Sequence, residues 1–127
     1  MPREFAVELI ELKPAPRNKA VGQILALEAP RIASACGAAA MVALDERGAA
    51  WSSVEFADRL ARWRDDGRDV AFVIGSADGI DASIKRRAAA LLQLSALTLP
   101  HALARVVLCE QLWRAWSIVD GHPYHRA

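Results

Sequence analysis

Five consecutive apolar residues, Val70-Ala71-Phe72-Val73-Ile74, run straight into Gly75-Ser76-Ala77-Asp78-Gly79 and stop. No other stretch restricts the fold as strongly. A strand with one wet face alternates apolar and polar side chains, whereas a strand apolar at every position needs cover above and below. That is the condition of a central strand in a parallel sheet with helices on both sides.

The rest of the chain supplies such elements. Ser52-Ser53-Val54-Glu55 is a capping box, and Phe56, Leu60 and Trp63 then share one face of a helix that ends at Gly67. Met41 to Leu44 reads as a short buried strand closed by a turn, Asp45-Glu46-Arg47-Gly48. From Asn18 onward, Val21, Ile24, Leu25, Ile32 and Cys36 keep close to a helical period. Pro30 interrupts it, which predicts a kink or two short helices ending near Gly37. Phe5 to Leu12, ahead of Pro14 and Pro16, reads as a strand. After Gly79 a helix is expected with Lys85-Arg86-Arg87 on its exposed side and Ala and Leu on the other. Leu94 to Leu99 follows, stopped by Pro100. A last helix runs from about His101 to Val119, with Leu103, Val106, Val107, Leu112, Trp113 and Trp116 apolar. Strand and helix thus alternate four times, predicting an α/β fold: a mainly parallel sheet with helices on both faces. The length of 127 residues fits one domain, residues 1–127.

Composition narrows the class without naming a partner. At 54% apolar and 24% charged, the chain can build a core, so disorder is excluded as its main description. The formal net charge is only +1, yet residues 1–84 carry ten basic and thirteen acidic side chains. Residues 85–127 carry six basic and two acidic, together with all three histidines, so an anionic partner should meet the C-terminal third. Cys36 and Cys109 are too far apart for a zinc knuckle or a disulfide framework and read as small buried hydrophobes; no metal site is expected. No apolar run is long enough to span a bilayer, and acidic residues interrupt the start of the chain where a signal peptide needs an apolar stretch. The expectation is a cytoplasmic protein without a membrane partner.

In an open α/β sheet, ligands bind beyond the carboxyl ends of the strands. Three segments qualify: Leu44-Asp45, Gly75 to Gly79, and Leu94 to Pro100. Gly75 to Gly79 is neither a dinucleotide fingerprint nor a P-loop, so by itself it reads as an ordinary β-to-α turn or as a place where a ligand meets bare backbone. Leu94 to Leu99 reads either as an edge strand or as a ligand wall with free backbone amides and carbonyls. The tail is the third feature of interest, with His122, Tyr124, His125 and Arg126 within five residues. It is either a solvated C-terminus or a set of groups suited to phosphate contact and base stacking.

Several of these segments carry a resemblance. Trp-Arg-Asp-Asp-Gly-Arg-Asp-Val (63–70), Ile74-Gly75, Leu-Ser-Ala-Leu-Thr-Leu-Pro-His (94–101), Leu-Trp-Arg-Ala-Trp-Ser-Ile (112–118) and His-Pro-Tyr-His-Arg (122–126) resemble the ribosomal RNA large subunit methyltransferase H family. That family is a minimal branch of the knotted SPOUT methyltransferases. The resemblance implies S-adenosylmethionine-dependent methylation of N3 of a pseudouridine in large-subunit (23S) ribosomal RNA, on the assembled 70S ribosome. It implies a C-terminal trefoil knot, a homodimer, and cofactor contacts at Leu44, Gly75, Leu94, Ser95, Ala96, Leu97, Thr98 and Leu99. Catalytic roles fall to Tyr124, His125 and Arg126, and RNA contacts to His101, Arg114, His122 and Arg126. The family usually carries a further strand–helix unit ahead of the segment matching Phe5, and a Gly-Gly-Pro-Glu-Gly turn where this chain has Gly75-Ser76-Ala77-Asp78-Gly79. The alternatives are an RNA- or ribosome-binding module that has lost methyl transfer, or a structural knotted domain.

Overall fold

The structure, a computed structural model, describes residues 7–12, 18–75 and 79–121. Its elements follow in the order α1 (Val21–Cys36), β1 (Ala40–Ala50), α2 (Ser53–Asp65), β2 (Val70–Val73), α3 (Ala82–Arg87), β3 (Ala90–Gln93) and α4 (His101–Asp120). The three strands form a parallel sheet in the order β2-β1-β3. Ala40 to Ala43 pair with Val70 to Val73, while Val42 to Leu44 pair with Ala90 to Leu92.

Alternation along β1 sorts the core into two layers. Val42 packs with Phe56, Ala57 and Leu60 of α2 and Leu108 and Ala115 of α4. Met41 and Ala43 face the other way, onto Ala29 of α1 and Ile84 of α3. Helices therefore cover both faces, as the apolar run at 70–74 requires. Phe72 joins the first layer and Val73 the second. That run is not the central strand, however. Among the described residues β1 is central and β2 lies at the edge, so its uniform apolarity reflects cover above and below rather than a neighbour on each side.

The capping box stands as predicted: the Ser52 hydroxyl accepts from the Glu55 amide at 3.1 Å, and the Glu55 carboxylate accepts from the Ser52 amide. Gly67 follows α2 at φ +69°, the left-handed region that glycine enters without strain.

Four expectations are corrected. First, α1 is a single helix through Pro30. The proline ring is exposed, and the helix is anchored on both sides of it, by buried Ile24 and Ala29 before and by Ile32, Ala33 and Cys36 after. Second, β1 does not end at Leu44. Leu44 and Ala49 both stand opposite Leu92, so residues 45–48 bulge out of a strand that then resumes. Third, Ala90–Gln93 forms β3 rather than the end of a helix, and Leu94 to Leu99 is a loop rather than an edge strand. Fourth, Val7 to Leu12 has no regular structure, because it joins no described strand; Val7, Leu9 and Ile10 are more than half exposed. Phe5, Pro14 and Pro16 lie outside the described residues. The cysteines also divide: Cys36 is half-buried, which pushes its thiol pKa up, but Cys109 is exposed on α4 and is no core residue.

Candidate functional site

The carboxyl ends of all three strands open into one cavity of about 710 Å³. Leu44 at the β1 bulge, Ile74 and Gly75 beyond β2, and Leu94, Ser95, Leu97, Thr98 and Leu99 beyond β3 line it. These are the three segments that the position of a ligand in an open α/β sheet nominates. Of the expected cofactor contacts, only Ala96 is absent from the wall.

Each loop reaches the cavity for a local reason. At Gly75 a β-carbon would stand 2.5 Å from the Gly79 carbonyl oxygen and 2.6 Å from Ile80 Cγ1. Only glycine lets the chain leaving β2 fold back this closely. The Gly75 carbonyl in turn accepts a hydrogen bond from His101 Nδ1 at 2.7 Å, which fixes the proton on Nδ1. This bond ties the first residue of α4 to the β2 exit and makes His101 part of the cavity wall.

Between β3 and α4 the chain is loop. Leu97 donates its amide to Ser95 Oγ at 3.0 Å. Among the described residues no backbone–backbone hydrogen bond involves Ser95 to Leu99. Amides and carbonyls of this loop that have no partner among the described residues, beside Leu44, Ile74 and Leu92, can recognise the edge of a planar heterocycle while apolar side chains cover its faces.

The cavity wall also carries a charged pair, which no local pattern in the sequence reveals. Lys85 Nζ lies 2.7 Å from Asp45 Oδ2, and Asp45 Oδ1 accepts from the Arg47 amide at 2.9 Å. The Asp45 side chain is only 7% exposed, against 37% for Lys85. The hydrogen bonds from Lys85 and the Arg47 amide hold the Asp45 carboxyl below the usual carboxylate range. Against the expected exposed basic face of α3, Lys85 turns to the cavity, and its partner Asp45 belongs to the segment 45–48 that reads as a turn. A glutamate or aspartate at a β1 exit with a lysine some forty residues away carries no local signature, so only the fold brings them together.

His101 and the cavity residues are thus assembled, whereas Arg114 is not. It lies on α4 roughly 20 Å along the axis from His101, on the rise of about 1.5 Å per residue, and is paired with Glu110. His122, Tyr124, His125 and Arg126, and Ser76 to Asp78 of the glycine turn, lie outside the described residues. A second depression, about 360 Å³, sits at the other end of the strands between Arg68 and Arg87, away from all these groups. Among the described residues no cluster of His, Cys, Asp and Glu suits a metal ion, and no helix is long and apolar enough to cross a membrane.

The profile of a family described as predicted SPOUT methyltransferases matches residues 1–125. Similar over the whole chain are proteins named ribosomal RNA large subunit methyltransferase H. The one from Burkholderia thailandensis is 52% identical over 130 residues, with 83% of its own length covered. Those from Burkholderia cenocepacia and Burkholderia ambifaria are 51% identical, with the same coverage.

Proposed function

Since the chain belongs to the SPOUT methyltransferase family, and is a methyltransferase on that ground, we propose that it uses S-adenosylmethionine to methylate N3 of a pseudouridine in large-subunit ribosomal RNA on the assembled ribosome. The observation that carries this reading is the convergence of Leu44, Gly75 and the Leu94–Leu99 loop on one cavity at the carboxyl ends of the strands. Its volume lies within the usual range for small-molecule sites, roughly 300–1,000 Å³. The loop's backbone groups without a partner among the described residues suit an adenine edge, and the charged pair in the cavity wall suits a ligand with charged groups, so the residues present fit this cofactor. When bound, it supplies an already activated methyl group on a sulfonium.

The protein's own task is then positioning and proton removal. Gly75 and the Leu94–Leu99 loop hold the nucleoside side, and His101 locks these two walls together through the Gly75 carbonyl. The acceptor must be held in line with the methyl, and most of the rate advantage comes from that alignment. The N3 proton also has to leave, which calls for a base within hydrogen-bond reach. We assign this to Tyr124 or His125 of the C-terminal tail, with Arg126 and His122 on RNA phosphate. His101 and Arg114 complete the proposed RNA contacts. The same reading gives the C-terminal segment a trefoil knot, makes the working form a homodimer, and places it in the cytoplasm; the basic balance of residues 85–127 supports a polyanionic substrate.

The test pairs cofactor binding with methyl transfer. Isothermal titration should give micromolar affinity for S-adenosylmethionine. Replacing Tyr124, His125 and Arg126 together by alanine should abolish methylation of ribosomes and leave that affinity within about twofold. Loss of binding along with activity would remove the tail from the chemistry. Ribosome association without any cofactor binding would favour the non-catalytic module.

A further inference from the structure

The Asp45–Lys85 pair, so far only the charged part of the cavity wall, has been given no contact of its own with a particular group of the ligand. Its placement follows from the pleat of β1. Leu44 packs into the layer of α2 and α4, so Asp45, the next residue, turns to the layer of α1 and α3, where Lys85 adjoins buried Ile84. The cavity wall therefore carries two unlike groups of residues: the uncharged loop Leu94–Leu99, and an ammonium and a carboxylate in contact.

We propose that this pair receives the zwitterionic amino-acid end of the cofactor, Lys85 taking its α-carboxylate and Asp45 its α-ammonium. The proposal rests on the reading of S-adenosylmethionine as the cofactor. Lys85 has three N–H donors, of which Asp45 uses one, and it is the more exposed member, so donors face the opening. Asp45 already accepts from Lys85 and Arg47, which leaves about two of its four lone-pair sites. The Asp45 carboxyl is held ionised by its neighbours, so its charge is in place before the ligand arrives. A neutral heterocycle gains nothing from this rim, whereas a zwitterion meets a complementary charge at each of its poles. The pair thus fixes which way round the cofactor lies: amino-acid end toward α3, nucleoside end toward the loop before α4. The first turn of α4 also borders the cavity, through His101 and Ala104.

Two probes isolate the contribution. S-adenosylhomocysteine carries the amino-acid end; 5′-methylthioadenosine has the same nucleoside and sulfur but neither charge. Calorimetric titration of the wild-type chain should show S-adenosylhomocysteine binding at least about tenfold tighter, as expected for one charge-assisted hydrogen bond. Lys85→Met should remove that preference and leave methylthioadenosine affinity within about twofold. Because Lys85→Met strands a largely buried carboxylate, Asp45→Asn/Lys85→Met is measured beside it, and the same loss of preference is expected. A preference that survives in both variants means that another group, such as the α4 terminus, receives the carboxylate, and overturns the assignment. Equal weakening of both ligands means the pair only shapes the cavity, and overturns it as well. Equal affinity of the wild type for both ligands overturns this assignment alone, whereas binding of neither overturns the cofactor reading on which it rests.

Discussion

Gly75 illustrates how much of the site hangs on one missing side chain. Its α-carbon lies so close to the Gly79 carbonyl that a methyl group would force the backbone apart. Its own carbonyl must stay put to accept from His101. Gly75→Ala should therefore cost about 1–3 kcal/mol of stability, as overpacking usually does, read as a lower urea midpoint. It should also weaken S-adenosylmethionine binding by more than the change at His101→Ala, which removes the tether but adds no clash. Equal or smaller weakening would mean the turn has room to relax. Gly48 plays a similar part in the sheet, where a β-carbon would stand 2.6 Å from the Leu91 backbone and block the return of β1 to β3.

At the level of elements, legibility depended on whether the cause was local. The Ser52–Glu55 box and the Gly67 stop are satisfied within their own turn, so α2 could be placed from its residues alone. Ser52→Ala should lower stability by about 1 kcal/mol, the usual worth of an N-cap, measured by chemical denaturation; a change under a few tenths would show the cap to be redundant. β3 could not be placed the same way. Ala88 to Gln93 is a run of good helix formers, and only pairing with β1 draws Ala90–Gln93 into a strand. Asp45 to Gly48 carries turn residues, yet β1 resumes beyond them because Leu92 offers a partner on both sides of the bulge. The three cavity segments were legible because strand ends locate ligands whatever the exact boundaries, while the Lys85 partnership needed the register of β1 and the position of α3.

At the scale of the whole molecule, the described part of α4 carries exposed apolar side chains along one side. Leu103, Val106 and Trp113 recur at spacings that put them along one side of α4, and Leu103 and Val106 are 46% and 62% exposed. Contiguous exposed apolar area on a folded domain marks an association surface. Under the proposed homodimer, sedimentation equilibrium at tens of micromolar should return twice the 13.8 kDa chain mass. Val106→Glu should shift it toward the monomer. A wild-type chain that stays monomeric at that concentration would contradict the dimer. The sheet order has a further consequence, for the time course of folding. β1 occupies the middle of the described sheet, yet it precedes both of its described neighbours in the chain, so on emerging from synthesis it waits for the first of them until Val70 follows. Its second edge stays open until Ala90 arrives. Both ladders among the described residues close a long loop, which slows folding relative to locally paired chains. An apolar strand waiting for its partners is the moment of greatest exposure to misassociation, and rapid early burial of Met41 and Ala43 against α1, already made, would shorten it.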